Sequence, residues 1–282
     1  MILDIHLQYI LALLGAGVVV GFACGLLGIG GGFIMVPVQI WALTSTGIEP
    51  TIATRIAFGT SLAVILPTAL CGCYGHNCRG VVLLRPGLAL GLSGLLGAVM
   101  GGTIAAHAPA DLLKAIFGMV VIAGAMRMLL AEKILLRGVS LAKPSEEIMP
   151  YIPWGMAVGV VSGLTGIGGG VILVPVMTIA MGFNIFQAIG TSSVAIAFNA
   201  VGGTFAYIVN GWGVSGLPAY SLGYIDLFQF MLLAGTSVLT AQLGVKAAHR
   251  LPAEQLRYIF MILMIYVGLK MMGVFAFLGL PI

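Results

Sequence analysis

Two glycine-rich octets offer the chemistry most easily read from this chain. Gly25-Leu26-Leu27-Gly28-Ile29-Gly30-Gly31-Gly32 is followed by Pro37, and Gly163-Leu164-Thr165-Gly166-Ile167-Gly168-Gly169-Gly170 by Pro175. Five glycines in eight residues oppose a regular helix, each at about 1 kcal/mol relative to alanine. A helix that restarts near Gly31 or Gly169 presents N–H groups without intrahelical acceptors, at the positive end of its dipole. Two such ends aimed at one point make an anion site without a fixed cation. Gly30, Gly31, Gly32, Gly168, Gly169 and Gly170 are the backbone candidates. The competing reading is close helix–helix contact, which glycine also permits.

The side-chain candidates fall on two helical stripes. Ala57, Thr60, Ser61, Val64 and Thr68 share one face, and Ala188, Thr191, Ser192, Ala195 and Asn199 repeat it in the second half. Thr60, Ser61, Thr191, Ser192 and Asn199 could donate hydrogen bonds to a substrate. Interhelical packing is the alternative, and it is the preferred reading for Thr68 and Ser193. Arg55, whose counterpart is Phe186, is a candidate anion gate or a snorkelling anchor. His76, matched by Tyr207, is a candidate pH-sensitive gate or a helix cap. Arg127 and Lys270 read as anchors. Asp226 reads as a helix N-terminal acid.

Cys71, Cys73 and Cys78 surround His76, but C-x-C is a poor match to zinc spacing and has no partner in the second half. A disulfide or plain packing is favoured, and no metal or cofactor is expected. The glycine octet lacks the Lys-Ser/Thr of a P-loop. No Ser/His/Asp set or carboxylate pair suggests an enzyme. No carboxylate inside an apolar run marks a coupling-ion path.

These residues must be held by membrane helices. Of the 282 residues, 60% are hydrophobic and 7% charged, with mean hydropathy +1.16; soluble domains carry roughly 25% charged residues. The net charge of +4 forms no basic tract, which leaves nucleic-acid binding without support. A first segment without Lys or Arg before Gln8 argues against a cleavable signal peptide.

Eight apolar runs emerge, at about 8–46, 52–75, 86–106, 110–131, 151–182, 186–209, 222–248 and 253–278. The expectation is an all-α membrane protein. About eight transmembrane helices form two tandem four-helix repeats, 1–131 and 151–282, joined by a loop at 132–150. The first helix of each repeat is broken at its glycines. Pro109-Ala110-Asp111 and Pro252-Ala253-Glu254 open matching helices. An even number of spans gives parallel repeats; if each break is a hairpin, the repeats are inverted. Under eight spans, Arg79, Arg85, Lys133, Arg137 and Lys143 face Lys114, Lys246, Arg250 and Arg257, which fixes no orientation. Oligomeric state is not legible.

The doubled Gly-Leu-x-Gly-Ile-Gly-Gly-Gly-x-x-x-x-Pro, each followed by Gly-Thr-Ser at 59–61 and 190–192, resembles the sulfite exporter TauE/SafE family. The resemblance covers nearly the whole chain and includes a His after the second span, here His76. It implies an inner-membrane transporter of small sulfur-containing anions such as sulfite, sulfoacetate or other organosulfonates, usually exporting. The anion would sit between the two broken-helix ends, with alternating access around it. An anion channel using the same site is the alternative. A metal or redox membrane protein built on Cys71 to Cys78 is a more distant one.

Overall fold

A computed structural model describes residues 2–28, 30–136, 144–145, 147–248 and 253–277. Parts of the 132–150 connection and of the Pro252-led helix start, including its acid Glu254, thus lie outside the described side chains. The elements in chain order are α1 (Ile2–Leu27), α2 (Gly32–Ser45), α3 (Pro50–Asn77), α4 (Leu84–His107), α5 (Ala110–Leu136), α6 (Tyr151–Thr165), α7 (Gly170–Ala180) and α8 (Ile185–Asn210). A short hairpin of β1 (Ser221–Leu222) and β2 (Ile225–Asp226) follows, then α9 (Leu227–Ala248), α10 (Ala253–Met271) and α11 (Val274–Phe277).

Among the described residues five helical stretches are long and apolar enough to cross a membrane: Leu7–Leu27, Pro50–Asn77, Leu84–His107, Ile185–Asn210 and Leu227–Ala248. Their outer faces are built for lipid. On α4, Leu88, Leu92, Leu96, Met100 and Ile104 are all exposed at every fourth position, one apolar stripe along one side.

Helix starts follow local chemistry. Pro50 opens α3, and the Glu49 carboxylate accepts the Thr51 and Ile52 N–H groups. Asn184 and Gln187 form a capping box at α8. Asp226 Oδ1 accepts from the N–H of Phe228 at 2.9 Å and Gln229 at 3.1 Å, the helix N-terminal role expected of it. The run expected from 222 begins as a helix only at Leu227, because residues 221–226 form the β hairpin.

The glycine octets do break the helices, and the chain reverses there. Gly31 packs on Val20 of α1, while Thr46, after α2, shares a recess with Tyr9 and Ile10 at the start of α1. So α2 runs back along α1. In the second half Gly169 packs on Val158, and the Tyr151 and Phe183 rings lie 6.2 Å apart at the open end of α6 and α7. Hydropathy presents each as one interrupted span; each is a helical hairpin with glycines at its tip.

Packing directions follow from which residues touch. Gly17, Gly21 and Gly25 of α1 lie on Leu233, Ser237 and Ala241 of α9, so these helices run parallel. Gly155, Gly159 and Gly163 of α6 lie on Leu90, Gly94 and Ala98 of α4 in the same way. A methyl group at most of these positions would overlap partner backbone, so small residues at every fourth place set the approach. Across the middle α3 and α8 run antiparallel, with Gly59 beside Tyr207, Leu62 beside Gly203 and His76 beside Gly190. The helices of 1–131 and 151–282 therefore interleave.

The hairpins change the distribution of charge. The chain enters α1 and leaves α2 at the Tyr9 end, so α3 ends, and α4 begins, at the opposite end. Arg79 donates to the Val245 carbonyl, which places Lys246 beside Arg79 and Arg85 rather than beside Lys114, as counting eight spans had it. Arg137, Lys143 and Arg250 lie outside the described residues, and so does the side chain of Arg257.

Candidate functional site

The two breaks share one backbone. Gly28, Gly30 and Gly31 have φ of +64°, +83° and +71°, and Gly166, Gly168 and Gly169 have +70°, +87° and +87°. Left-handed φ is a glycine conformation, which is why the octets contain no bulkier residue at these places. Ile29 lies outside the described residues. The first backbone bonds of α2 run from Ile34 and Met35 to the Gly31 carbonyl, and those of α7 from Ile172 and Leu173 to Gly169. The N–H groups of Gly32, Phe33, Gly170 and Val171 precede those bonds and have no acceptor in the helix ladder.

The breaks meet inside the protein. A Cβ on Gly30 would stand 2.9 Å from the Ile167 carbonyl oxygen, and one on Gly32 2.7 Å from both the Gly166 oxygen and the Ile167 Cα. All six candidate glycines are buried. Two positive helix ends, α2 from one hairpin and α7 from the other, thus open onto the same region.

The hydroxyl candidates gather around these tips and hold their backbone. Ser61 Oγ donates to the Gly166 carbonyl at 2.6 Å, and Ser192 Oγ lies 3.5 Å from that of Gly28. Each serine thus reaches the opposite half's break. Each also lies within hydrogen-bond distance of a carbonyl of its own helix, Phe58 at 3.0 Å and Ile189 at 2.9 Å. Thr60 Oγ1 accepts the Asp226 N–H at 2.9 Å, and Thr191 Oγ1 accepts the Leu83 N–H at 3.0 Å. The threonines therefore fasten the starts of α9 and α4.

His76 is buried, its Nε2 3.1 Å from the Gly25 carbonyl. With a carbonyl as partner, Nε2 carries the hydrogen. Tyr207 donates to the Gly163 carbonyl at 3.0 Å, the same bond in the other half. Arg55 is not brought to the breaks. It sits at the Tyr9 end, donating to Tyr224 Oη and the Ala108 carbonyl at 3.2 Å each, with its guanidinium 5.8 Å from the Tyr224 ring centre.

Asn199 is buried beside the second break. With its nitrogen toward Ala195 and Gly94 it donates to both carbonyls at 3.3 Å, and its oxygen then faces Gly168 and Gly169. Its counterpart Thr68 bonds the Val64 carbonyl and Ser237 Oγ, both at 2.8 Å, the packing role expected of it. The four cysteines are free thiols, so the disulfide reading is not realised. Gln242 Nε2 donates to the carbonyl and Sγ of Cys71 at 2.8 and 3.1 Å. Among the described residues no group of three or more His, Cys, Asp or Glu side chains has a metal-binding arrangement.

Sequence reasoning missed Ile65 and Ile196. Both are fully buried, and a Cβ on Gly168 would stand 3.1 Å from Ile65 and 3.4 Å from Ile196. They follow Ser61 and Ser192 by one helical turn, a position the stripes did not name because its apolar side chain gave no signal. Ser162, buried in the last turn of α6, was missed because a single serine in an apolar run reads as packing.

A family model described as "Sulfite exporter TauE/SafE" matches residues 13–271. The chain is 33% identical over 263 residues to a "probable membrane transporter protein" of Haemophilus influenzae, covering 93% of this chain and 98% of that one. It is 26% identical over 278 residues to a protein of the same description from Methanocaldococcus jannaschii, covering 96% and 100%. A third relative so described, from Bacillus subtilis, is 30% identical over 198 residues, covering 68% and 76%. No solved structure matches the chain.

Proposed function

The chain belongs to the sulfite exporter TauE/SafE family and is a multi-pass membrane transporter, and from that premise we propose that it is a secondary transporter, exporting small sulfur-containing anions. Sulfite, sulfoacetate and other organosulfonates are the substrate class, and the bacterial inner membrane is the location. The observation that carries the reading is the meeting of two uncapped helix starts, α2 and α7, at two matched glycine breaks. Half-helix N-termini at mid-depth are the membrane form of an anion site.

In this reading the repeats 1–131 and 151–282 are inverted, each contributing one hairpin and three through-going helices. The antiparallel α3 and α8 support that, as does the entry of the two hairpins from opposite ends. The end bearing Arg79, Arg85 and Lys246 faces the cytoplasm by the excess of positive charge. Backbone N–H groups at Gly30–Gly32 and Gly168–Gly170 receive the anion. Ser61 and Ser192 link each break to the other half's long helix, so that movement of one hairpin is felt by both. Thr60 and Thr191 fix the helices against which the hairpins move.

The contact of Gly30 with Ile167, flanked by Ile65 and Ile196, closes the site. Opening it toward one end and then the other gives alternating access. Arg55 draws anions toward the Tyr9 end, and His76 steadies the first hairpin.

Uptake of labelled sulfite into liposomes containing the purified protein tests this, with sulfate, thiosulfate, sulfoacetate and acetate as competitors. Saturation and counterflow with sulfite or a sulfonate are expected. Flux that rises linearly with concentration and shows no counterflow would contradict a carrier and favour a channel.

A further inference from the structure

The two breaks share a backbone but not a chemistry, and the inference drawn from that difference rests on the transport reading above. Ser162 lies four residues before Gly166. Its side chain is fully buried, and among the described residues its hydroxyl has no hydrogen-bond partner. Leaving a buried hydroxyl unpaired is unfavourable, so the position calls for a partner. Its Cβ lies 3.5 Å, and the Asn199 side-chain amide 3.1 Å, from the point where a Cβ on Gly169 would stand. Gly169 has no such atom. The two side chains therefore converge on the start of α7, where the N–H groups of Gly170 and Val171 precede the first helical bond.

At the first break the matching residues are Cys24 and Thr68. A thiol is a weak donor. The Thr68 hydroxyl is already held between Val64 and Ser237. One break thus has an uncommitted hydroxyl and an amide that can turn; the other has neither.

We propose that the transported oxyanion binds off-centre, at the second break, with Ser162 and Asn199 as its specificity-determining side chains, one anion per chain. The three-oxygen face of sulfite or of a sulfonate head group suits the donors. One oxygen takes the α7 amides, one the Ser162 O–H and one the Asn199 NH2. Asn199 turns its nitrogen to Ala195 and Gly94 and its oxygen to the break. A half-turn of the amide exchanges that oxygen for two donors when the anion arrives. The α7 dipole supplies the balancing charge.

The test exchanges residues between the breaks and measures sulfite uptake in liposomes. Ser162→Cys, which replaces the hydroxyl with a somewhat larger thiol, and Asn199→Thr each place the first break's residue at the second. Each is expected to raise the half-saturation concentration roughly tenfold, as loss of a hydrogen bond to a charged group does, with the melting temperature close to wild type. The reciprocal Cys24→Ser is expected to change it less than about twofold. The inference is overturned if Ser162→Cys leaves half-saturation unchanged, or if Cys24→Ser shifts it equally. Wild-type uptake that does not saturate would instead overturn the transport reading beneath it.

Discussion

At the first break the carbonyl of Gly25 is held by a histidine; at the second, that of Gly163 is held by a tyrosine. Thr60 and Thr191 make matched bonds, Ser61 and Ser192 make matched bonds of unequal length, and Arg55 is matched only by Phe186. What both halves keep is geometry: three left-handed glycines, a helix start without a cap, and side-chain donors to two carbonyls at the break. What differs is side-chain chemistry within reach of that geometry. A buried backbone break inside a membrane must satisfy its polar groups whatever the ligand, so those bonds recur. Residues that face a ligand are free to diverge.

Among substitutions the largest effect belongs to the shared geometry. Gly31→Val and Gly169→Val place β-branched side chains at φ of +71° and +87°, against Val20 and Val158. Strain of this kind costs about 1–3 kcal/mol before any clash. Sulfite uptake is expected to fall at least a hundredfold in both variants, measured at matched protein density. Loss in one alone would show that the breaks do not share a role.

A smaller effect is expected at the carbonyl holders. Ser61→Ala leaves the buried Gly166 carbonyl without its 2.6 Å bond, at about 1–3 kcal/mol. Ser192→Ala removes a contact of 3.5 Å and costs less, under about 1 kcal/mol. Thermal melts in detergent should rank them in that order; the reverse order would mean the two contacts are not equivalent anchors.

Much of this architecture was legible, and for local reasons. Glycine density announces a helix break from eight residues, and a hydroxyl stripe announces a shared face from helical periodicity. Asp226 could be read as a cap from its place before an apolar run. What could not be read depends on partners distant in sequence. Hydropathy measures apolar length, not direction, so the reversal at the first break stayed one of two alternatives, and the placement of Lys246 with it. The serines stood out as donors, but their acceptors, Gly166 and Gly28, lie in the opposite half. Ile65 and Ile196 close the middle with ordinary side chains. The cysteines drew attention by spacing, yet Cys71 is engaged by Gln242 of α9, far along the chain.

The histidine–tyrosine pair gives a smaller effect again. If His76 acts only by holding Gly25, His76→Tyr should retain at least half of wild-type uptake with an unchanged pH profile, while His76→Ala should lose most of it. A flattened pH profile in His76→Tyr would make proton binding at His76 part of transport. The smallest change is expected where no counterpart exists. Arg55→Gln should raise half-saturation severalfold at low salt and less at high salt, because an attraction outside the site is screened. Equal effects at both salt concentrations would place Arg55 against the bound anion instead.

Under the proposed function, two glycine breaks bring the starts of α2 and α7 to a common interior point that receives an anion. An electron cryo-microscopy structure of the protein in lipid nanodiscs with sulfoacetate tests it most directly. Density for the sulfonate is expected within hydrogen-bond distance of the Gly170 and Val171 amides, with the two breaks still facing one another. Density found only elsewhere, or breaks separated and turned toward lipid, would contradict it.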